Sequence, residues 1–587
     1  MNSRTARLYE YGGALIVLLV RIVTAPRTPW ENDEFLFAEA VRNFDPSRYH
    51  PHPPGFPLFV LLGKAFAVVT QDPWRALVVL NIVLAPIGFI ALARALRNWI
   101  GDETIAVAAS LIYFLSTAML INGPLALSDA AAMSFVCLAF AAISAPDDGV
   151  HERSAILTGL WTSAAIGTRP QLLIPLAPLL IVALIRMRTM RQRVACILAF
   201  GFLSLMWFLP LLEATGGWDG FVLYQTKQVA YFATHDAAMS RGAFTPGQIA
   251  VRFLIHPWGS KYLTIPLFAL IVLGAAGFAR RWRPLLPLIV FTVVQLVFEL
   301  GSMDPADAAR YSLPAMIAFA LAAALGLAQV ARSAHFPFLP IAAALLFALG
   351  SALYVRDILI PRMTGPSPVV AAAQYVKSAF PPDTVVLHDL AMRPAAEWLL
   401  PELKSETLET GLKRYYDQTQ VPLVLLADGG SHDPDARTFS WPESDAYGKL
   451  TRNHYRVVTA DAITKAERYS PVEGIYALER TVAGEEWRWI APRAAIALPG
   501  GFNAVTVTLA LSHDAPFDSN PTEVLVNGRP EATINVTRQP ESATVELIPL
   551  LPPEIEFRAA RSFRPADVLK NQDPRTLAVE LIRVEQK

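Results

Sequence analysis

Asp33 and Glu34 are adjacent carboxylates that follow the first apolar stretch of the chain, Leu8 to Ala25. Strong acids beside hydrocarbon are costly to keep, so they point to a function. Partial desolvation makes such a carboxylate a better base, suited to taking a proton from a hydroxyl. A further acid, Asp129, opens an apolar run in Leu127-Ser128-Asp129. Ser128 or Asp129 there caps a helix N-terminus, where a negative charge is favourable. Arg169 lies in Gly167-Thr168-Arg169-Pro170 and Arg310 in Ala309-Arg310-Tyr311-Ser312-Leu313-Pro314. The planar fork of arginine matches phosphate oxygens. His50 and His52 are one residue apart in Tyr49-His50-Pro51-His52-Pro53-Pro54-Gly55. With Asp33 they form a potential divalent-ion site, although a loop histidine is more often simply solvated. The stretch 213–261 carries Lys227, His235, Asp236, Arg241 and His256 among Tyr224, Tyr231 and Phe232. A loop of that length is uncommon unless it is functional or disordered, and it reads as a cover over a substrate.

These residues must be held by a membrane protein. The chain has 587 residues, 53% hydrophobic and only 17% charged, against about a quarter charged in soluble domains. A formal net charge of zero gives no sign of a nucleic-acid partner. Cys137 and Cys196 both lie in apolar runs, which excludes a disulfide framework and a cysteine-rich zinc site. Apolar runs long enough to cross hydrocarbon lie near 8–25, 74–97, 104–122, 127–145, 154–168, 171–187, 194–212, 262–280, 284–301, 311–330 and 336–356. That makes about eleven transmembrane helices. The run 54–70 carries Lys64 near its middle and reads as an interfacial helix. Leaving it out places the arginine-bearing loops at 94–97, 186–193, 280–283 and 332 on the same side as Arg4 and Arg7. By the positive-inside rule the N-terminus is then cytoplasmic and the C-terminal part is outside. The first helix reads as retained, without a small-residue cleavage site after Ala25. Asp33, Glu34, His50, His52, Asp129, Arg169, His256, Asp304, Asp307 and Arg310 all gather on the outer face in this topology. Arg169 is then a cation on the wrong side. It either snorkels to headgroups or has an anionic partner, a phosphate or Asp33.

Charge density rises after Leu359 and marks an extracytoplasmic part. The reading divides the chain into a membrane domain at 1–361, a small α/β module at 366–480 and a β-sandwich at 485–587. In the module, Val369 to Phe380 is expected as a helix, and 384–388, 421–427, 455–458 and 474–479 as strands. In the sandwich, strands are expected at 504–509, 522–526, 532–536, 544–548, 555–563 and 577–584. Asn527-Gly528 turns between two of them, in a loop that Arg529-Pro530 lengthens.

The segment Trp30-Glu31-Asn32-Asp33-Glu34-Phe35-Leu36-Phe37-Ala38, followed by His52-Pro53-Pro54, resembles the first outer loop of membrane glycosyltransferases with the GT-C fold. Protein O-mannosyltransferases and lipid A aminoarabinose transferases belong to that group. Aminoarabinose transferases often carry arginine where this chain has Leu36, which argues against aminoarabinose as the sugar. Arg310-Tyr311 resembles the Arg-Tyr-x-x-Pro sequence that opens a late span, and Asp573 to Val579 resembles the ending of carbohydrate-associated sandwiches. The resemblance implies an inverting transferase that moves a sugar from a polyprenyl phosphate carrier to an envelope acceptor outside a bacterial inner membrane. Asp33 would be the base with Glu34 assisting, or the reverse, and Asp129 a further acid. Arg169, Arg310, Tyr311, His52, Lys227 and His256 would bind the substrate. Metal use varies across these enzymes, so a divalent cation stays open, with no ligand set assigned. Two other readings compete: a transporter, and an envelope-assembly scaffold. Transporters usually place ionisable groups at mid-membrane, whereas here they gather at one face.

Overall fold

The computed structural model describes residues 3–145, 151–235, 244–431, 433, 435–451, 455–480, 484–549, 552–569 and 573–587. The chain forms two compact units, Met1–Gly365 with Pro442–Asn453, and Pro366–Trp441 with His454–Lys587.

The first unit is helical and reads as a multi-pass membrane protein. Its helices are α1 (Ser3–Val23), α2 (Asn32–Arg42), α3 (Pro57–Thr70), α4 (Pro73–Ile100), α5 (Glu103–Phe114), α6 (Thr117–Asn122), α7 (Ser128–Ile143), α8 (His151–Thr168) and α9 (Leu173–Arg186). They continue as α10 (Met190–Ala214), α11 (Trp218–His235), α12 (Pro246–Leu254), α13 (Lys261–Ala279), α14 (Trp282–Ser302), α15 (Ala308–Tyr311), α16 (Leu313–Ser333), α17 (Leu339–Tyr354) and α18 (Arg356–Thr364). Among the described residues, five helices are long and apolar enough to cross a membrane: α4, α10, α13, α14 and α16. A bent pair beginning at α17 raises this to six. Shorter apolar helices, including α3, α5 and α7, accompany them. Every expected span falls on helix, but eleven full-length crossings are not what the lengths provide. At 12 and 16 residues, α5 and α7 rise about 18 and 24 Å, short of the roughly 30 Å hydrocarbon core.

The expected span 104–122 is broken. Helix α5 stops at Phe114, and Ser116 caps α6 by accepting from the Met119 amide. Two buried arginines reach this region: Arg21 takes the Phe114 carbonyl freed at the break, and Arg362 takes a carbonyl in the last turn of α6. Arg21 donates to Phe114 O at 3.2 Å and to Met119 O, and Arg362 donates to Ile121 O at 2.8 Å. Unsatisfied backbone groups cannot be left in such surroundings, so Arg21 helps make the break tolerable and Arg362 does the same for the end of α6.

The second unit holds two sheets. Helix α19 (Pro368–Ala379) precedes a five-stranded mixed sheet, with helices α20 (Arg393–Leu399) and α21 (Leu408–Tyr415) connecting its early strands. The strands are β1 (Val385–His388), β2 (Lys404–Thr407), β3 (Leu423–Asp428), β4 (Arg437–Ser440) and β5 (Val457–Ala462), in the order β2-β1-β3-β5-β4. The parallel strands β1 and β3 are buried apolar runs, as expected of strands covered on both faces.

An eight-stranded antiparallel sheet follows. Its strands are β6 (Ser470–Arg480), β7 (Glu486–Ala497), β8 (Ala504–Ala510), β9 (Asn520–Val526), β10 (Arg529–Val536), β11 (Glu541–Glu546), β12 (Glu554–Ala559) and β13 (Val579–Gln586). Two expectations are corrected here. The strand at 474–479, assigned to the α/β module, is β6 and pairs with β7 of the β-rich region. Arg529 does not lengthen the hairpin loop. It pairs with Val526 across a tight Asn527-Gly528 turn, both at positive φ, and a bulge after Pro530 absorbs the proline. Strand β7 lies at the centre: it pairs with β6 on one side and with β13 and then β12 on the other. Val505, Val507, Leu509, Val524, Ile555 and Phe557 supply alternate inward residues of the core. In the Asp573–Val579 motif, Arg575 contacts Asp573 at 2.7 Å and Glu479 at 2.8 Å and lies over the Tyr476 ring, which ties the motif to β6.

Candidate active site

The motif carrying Asp33 and Glu34 forms the first turn of α2. Glu31 is the N-cap, and Glu34, at the third position, closes a capping box by accepting from the Glu31 amide at 3.0 Å. Glu34 also accepts from Trp30 N (2.7 Å), Trp74 Nε1 (2.8 Å) and Ala126 N (2.9 Å). It is fully buried, so these donors occupy both of its oxygens. Glu34 therefore joins the start of α2, the start of α4 and the loop before α7.

Asp33, one residue earlier on the turn, points elsewhere and keeps 28% of its side chain exposed. Its Oδ2 accepts from Arg310 Nη1 and Nη2 at 3.2 and 3.3 Å. Arg310 also contacts Asp129 Oδ2 at 3.3 Å and Asp307 at 3.6 Å. The other oxygen of Asp129 lies 2.8 Å from Arg169 Nη1, which donates to Ser128 Oγ at 3.3 Å. Arg169 lies 5.5 Å from the Tyr311 ring centroid. Three carboxylates thus converge on two guanidiniums. Burial alone would lower the Arg310 pKa, but Asp129, Asp307 and Asp33 together outweigh it and hold that pKa well above the ordinary arginine value. With all members ionised, the cluster has one excess negative charge.

His52 borders the cluster. Its Nδ1 lies 3.9 Å from Asp33 Oδ1, and its ring packs against Phe37 and Phe56. The loop reaches this place because Gly55 and Phe56 adopt positive φ before α3. A Cβ on Gly55 would also meet Leu211 at 2.5 Å.

The long segment 213–261 is largely helical, as α11 and α12. Lys227 is exposed on α11, and no bond or ion pair among the described residues links it to the cluster. His256 also makes no bond to the cluster. Burial, with Arg252 and Lys449 adding to it, lowers its pKa to about 4, so it is neutral at physiological pH. His235, Asp236 and Arg241 lie outside the residues whose side chains are described. Among the described residues no group of three His, Cys, Asp or Glu side chains is placed to hold a metal ion. The potential set His50, His52 and Asp33 is not gathered into one.

Three contributors had no role in the sequence reading. Asp307 was counted on the outer face and joins Arg310 directly. Arg362 lies flat on Trp30, with its guanidinium carbon 3.6 Å from the ring centroid. Tyr447, from the returning segment Pro442–Asn453, stacks on the same ring at 5.9 Å. The neighbouring Gly448 carbonyl accepts from Arg252 at 3.2 Å. A helical signal follows Pro246, but nothing local marks 442–453 as part of the helical unit.

No family model and no curated protein matches this chain. Among solved structures it is similar to apo ArnT from Cupriavidus metallidurans, with 14% identity and a TM-score of 0.50 over 78% of this chain and 98% of ArnT. The same ArnT bound to undecaprenyl phosphate aligns at 13% identity and a TM-score of 0.48, over 78% of this chain and 98% of that one. Arabinofuranosyltransferase AftD from Mycobacteria aligns at 12% identity and a TM-score of 0.42, over all of this chain and 61% of AftD. At these identities the likeness to ArnT speaks for the fold, and the chain has the GT-C fold.

Proposed function

We propose that this protein is a membrane glycosyltransferase that moves a sugar from a polyprenyl phosphate to a hydroxyl of an envelope acceptor on the extracytoplasmic face of a bacterial inner membrane. The observation that carries this reading is the convergence of Asp33, Asp129 and Asp307 on Arg310, with Arg169 on the far side of Asp129. Asp33 takes the proton of the acceptor hydroxyl. The acceptor oxygen bonds to the anomeric carbon as the bond from that carbon to the phosphate oxygen breaks. The polyprenyl phosphate leaves with the electron pair, and a single displacement inverts the anomeric centre. Negative charge grows on the phosphate during this step, so guanidiniums beside it stabilise the transition state more than the ground state.

The paired state of Arg310 gives this reading an internal logic. A phosphate that engages Arg310 competes with Asp33 for the same donors. Asp33 then loses the cation that favours its charged form and becomes a stronger base when the donor is bound. Glu34, with its oxygens taken by four donors, is assigned a positioning role: it fixes the turn from which Asp33 projects.

The test is transfer from a short, water-soluble polyprenyl phosphate sugar. Asp33→Asn keeps the shape and removes the base, so turnover should fall about 10²–10⁴-fold with no loss of donor affinity, because the phosphate no longer competes with a carboxylate for Arg310. Near-normal transfer by Asp33→Asn refutes the assignment.

A further inference from the structure

Helix α16 runs 21 residues, about 30 Å, from the Arg310 cluster to a second polar site. At that far end a half-open cavity of about 440 Å³ is bounded by the start of α5, the end of α13, the end of α16 and the start of α17. That volume lies within the roughly 300–1,000 Å³ of small-molecule sites. Arg281, Gln329, Arg332 and His335 line it, together with Asp102. Among the described residues, none of Arg281, Arg332 and His335 has a carboxylate partner. Arg281 uses one donor on the Gly277 carbonyl (3.0 Å), and Gln329 uses one on Leu273 (2.8 Å). Asp102 has an oxygen committed to the Ile105 amide as the cap of α5. Two helices begin and two end at the cavity, so their dipoles oppose one another and the side chains set its sign. That sign is positive.

The surroundings indicate the source of the anion. Trp282, Phe336 and Phe338 are exposed beside the cavity, the amphipathic belt that sits at headgroup level. Beyond them, α13 and α17 expose Val272, Leu273, Leu346 and Leu349 along their lengths. A ligand with a phosphate at the cavity and an apolar body along these helices satisfies both. We propose that this cavity binds the phosphate headgroup of an anionic membrane lipid, separately from the Arg310 cluster.

The experiment uses the full chain reconstituted in vesicles of equal phosphatidylglycerol and phosphatidylcholine, with retained lipid counted by native mass spectrometry. Phosphatidylglycerol should be retained over phosphatidylcholine by roughly tenfold. The Arg281→Ala/Arg332→Ala variant should retain the two equally. The Arg280→Ala/Arg283→Ala variant removes the same charge at the same end but outside the cavity lining, and should keep the preference. Glycerol 1-phosphate at millimolar concentration should not displace the lipid. Three results overturn the proposal: no preference in the unmodified protein, equal loss in both double variants, or displacement by glycerol 1-phosphate. The first would show that no anionic site exists, the second that the effect is general surface charge, and the third that the site takes soluble phosphate. The unmodified protein alone decides the first and third, so a variant that fails to fold leaves the proposal testable.

Discussion

The two ends of α16 use arginine in opposite ways. Just before its start, Arg310 on α15 is held by three carboxylates and is 11% exposed. At its end, Arg332 is exposed and has no carboxylate partner among the described residues. A buried guanidinium saturated by acids can bind a new anion only by releasing one of them, so binding is coupled to the state of Asp33. An exposed guanidinium in an open cavity binds an anion without such an exchange. The first arrangement suits a step in which charge is redistributed, and the second suits simple retention.

That comparison breaks most readily at Arg310. Arg310→Ala leaves Asp33, Asp129 and Asp307 facing one another without the cation. Breaking a buried pair in this way costs about 3–5 kcal/mol, so a clear fall in thermal stability should accompany loss of donor binding and turnover. Arg310→Lys should recover only part, because lysine lacks the fork. Arg332→Ala should change stability by no more than about 0.5 kcal/mol. Equal thermal shifts in the two alanine variants would erase the distinction.

Glu34 supplies the next largest effect. In Glu34→Gln, an amide group faces backbone and indole donors where an acceptor is needed. Loss of about 1–3 kcal/mol is expected in thermal unfolding. Transfer per folded molecule should fall much less than in Asp33→Asn. A loss of transfer as large as that of Asp33→Asn, with no loss of stability, would make Glu34 a reagent and not a holder.

Tyr447 tests whether the returning segment helps position α2. Tyr447→Ala removes its stack on Trp30, worth about 0.5–1.5 kcal/mol, while Tyr447→Phe keeps the ring. Turnover should drop a few-fold in the alanine variant and recover in the phenylalanine variant. Equal turnover in the two variants would confine the stack to stability.

The smallest effect is expected at His256. Its folded pKa of about 4 lies below the ordinary histidine value near 6.5, so the unfolded chain binds more protons between those values. Its contribution to stability is present above about pH 6.5 and is lost as pH falls toward 4. His256→Asn should flatten the fall in melting temperature over that window, and an unchanged slope would show that other groups set it.

Much of this could be read locally. The apolar runs placed helices because unbroken hydrophobic sequence of that length has few other stable forms in a bilayer. The alternation of Val505, Val507 and Leu509 marked a strand, and Asn527-Gly528 a tight turn, because both signals are contained in a few neighbouring residues. Strand β7 escaped because its burial does not alternate: Arg488–Ile490 and Ala494–Ile496 are each runs of three buried residues. The break between α5 and α6 escaped because Arg21, which takes its freed Phe114 carbonyl, is distant in sequence.

The acid pair shows the limit most clearly. Sequence alone determined that two strong acids follow the first apolar helix and that arginines recur at later helix ends. It could not separate Asp33 from Glu34. Neighbours on a helix point about 100° apart, so one side chain meets Trp74 and Ala126 while the other meets Arg310, 277 positions away. Which acid is enclosed by donors and which faces a displaceable cation depends on which helices pack together, and that is a property of the tertiary structure.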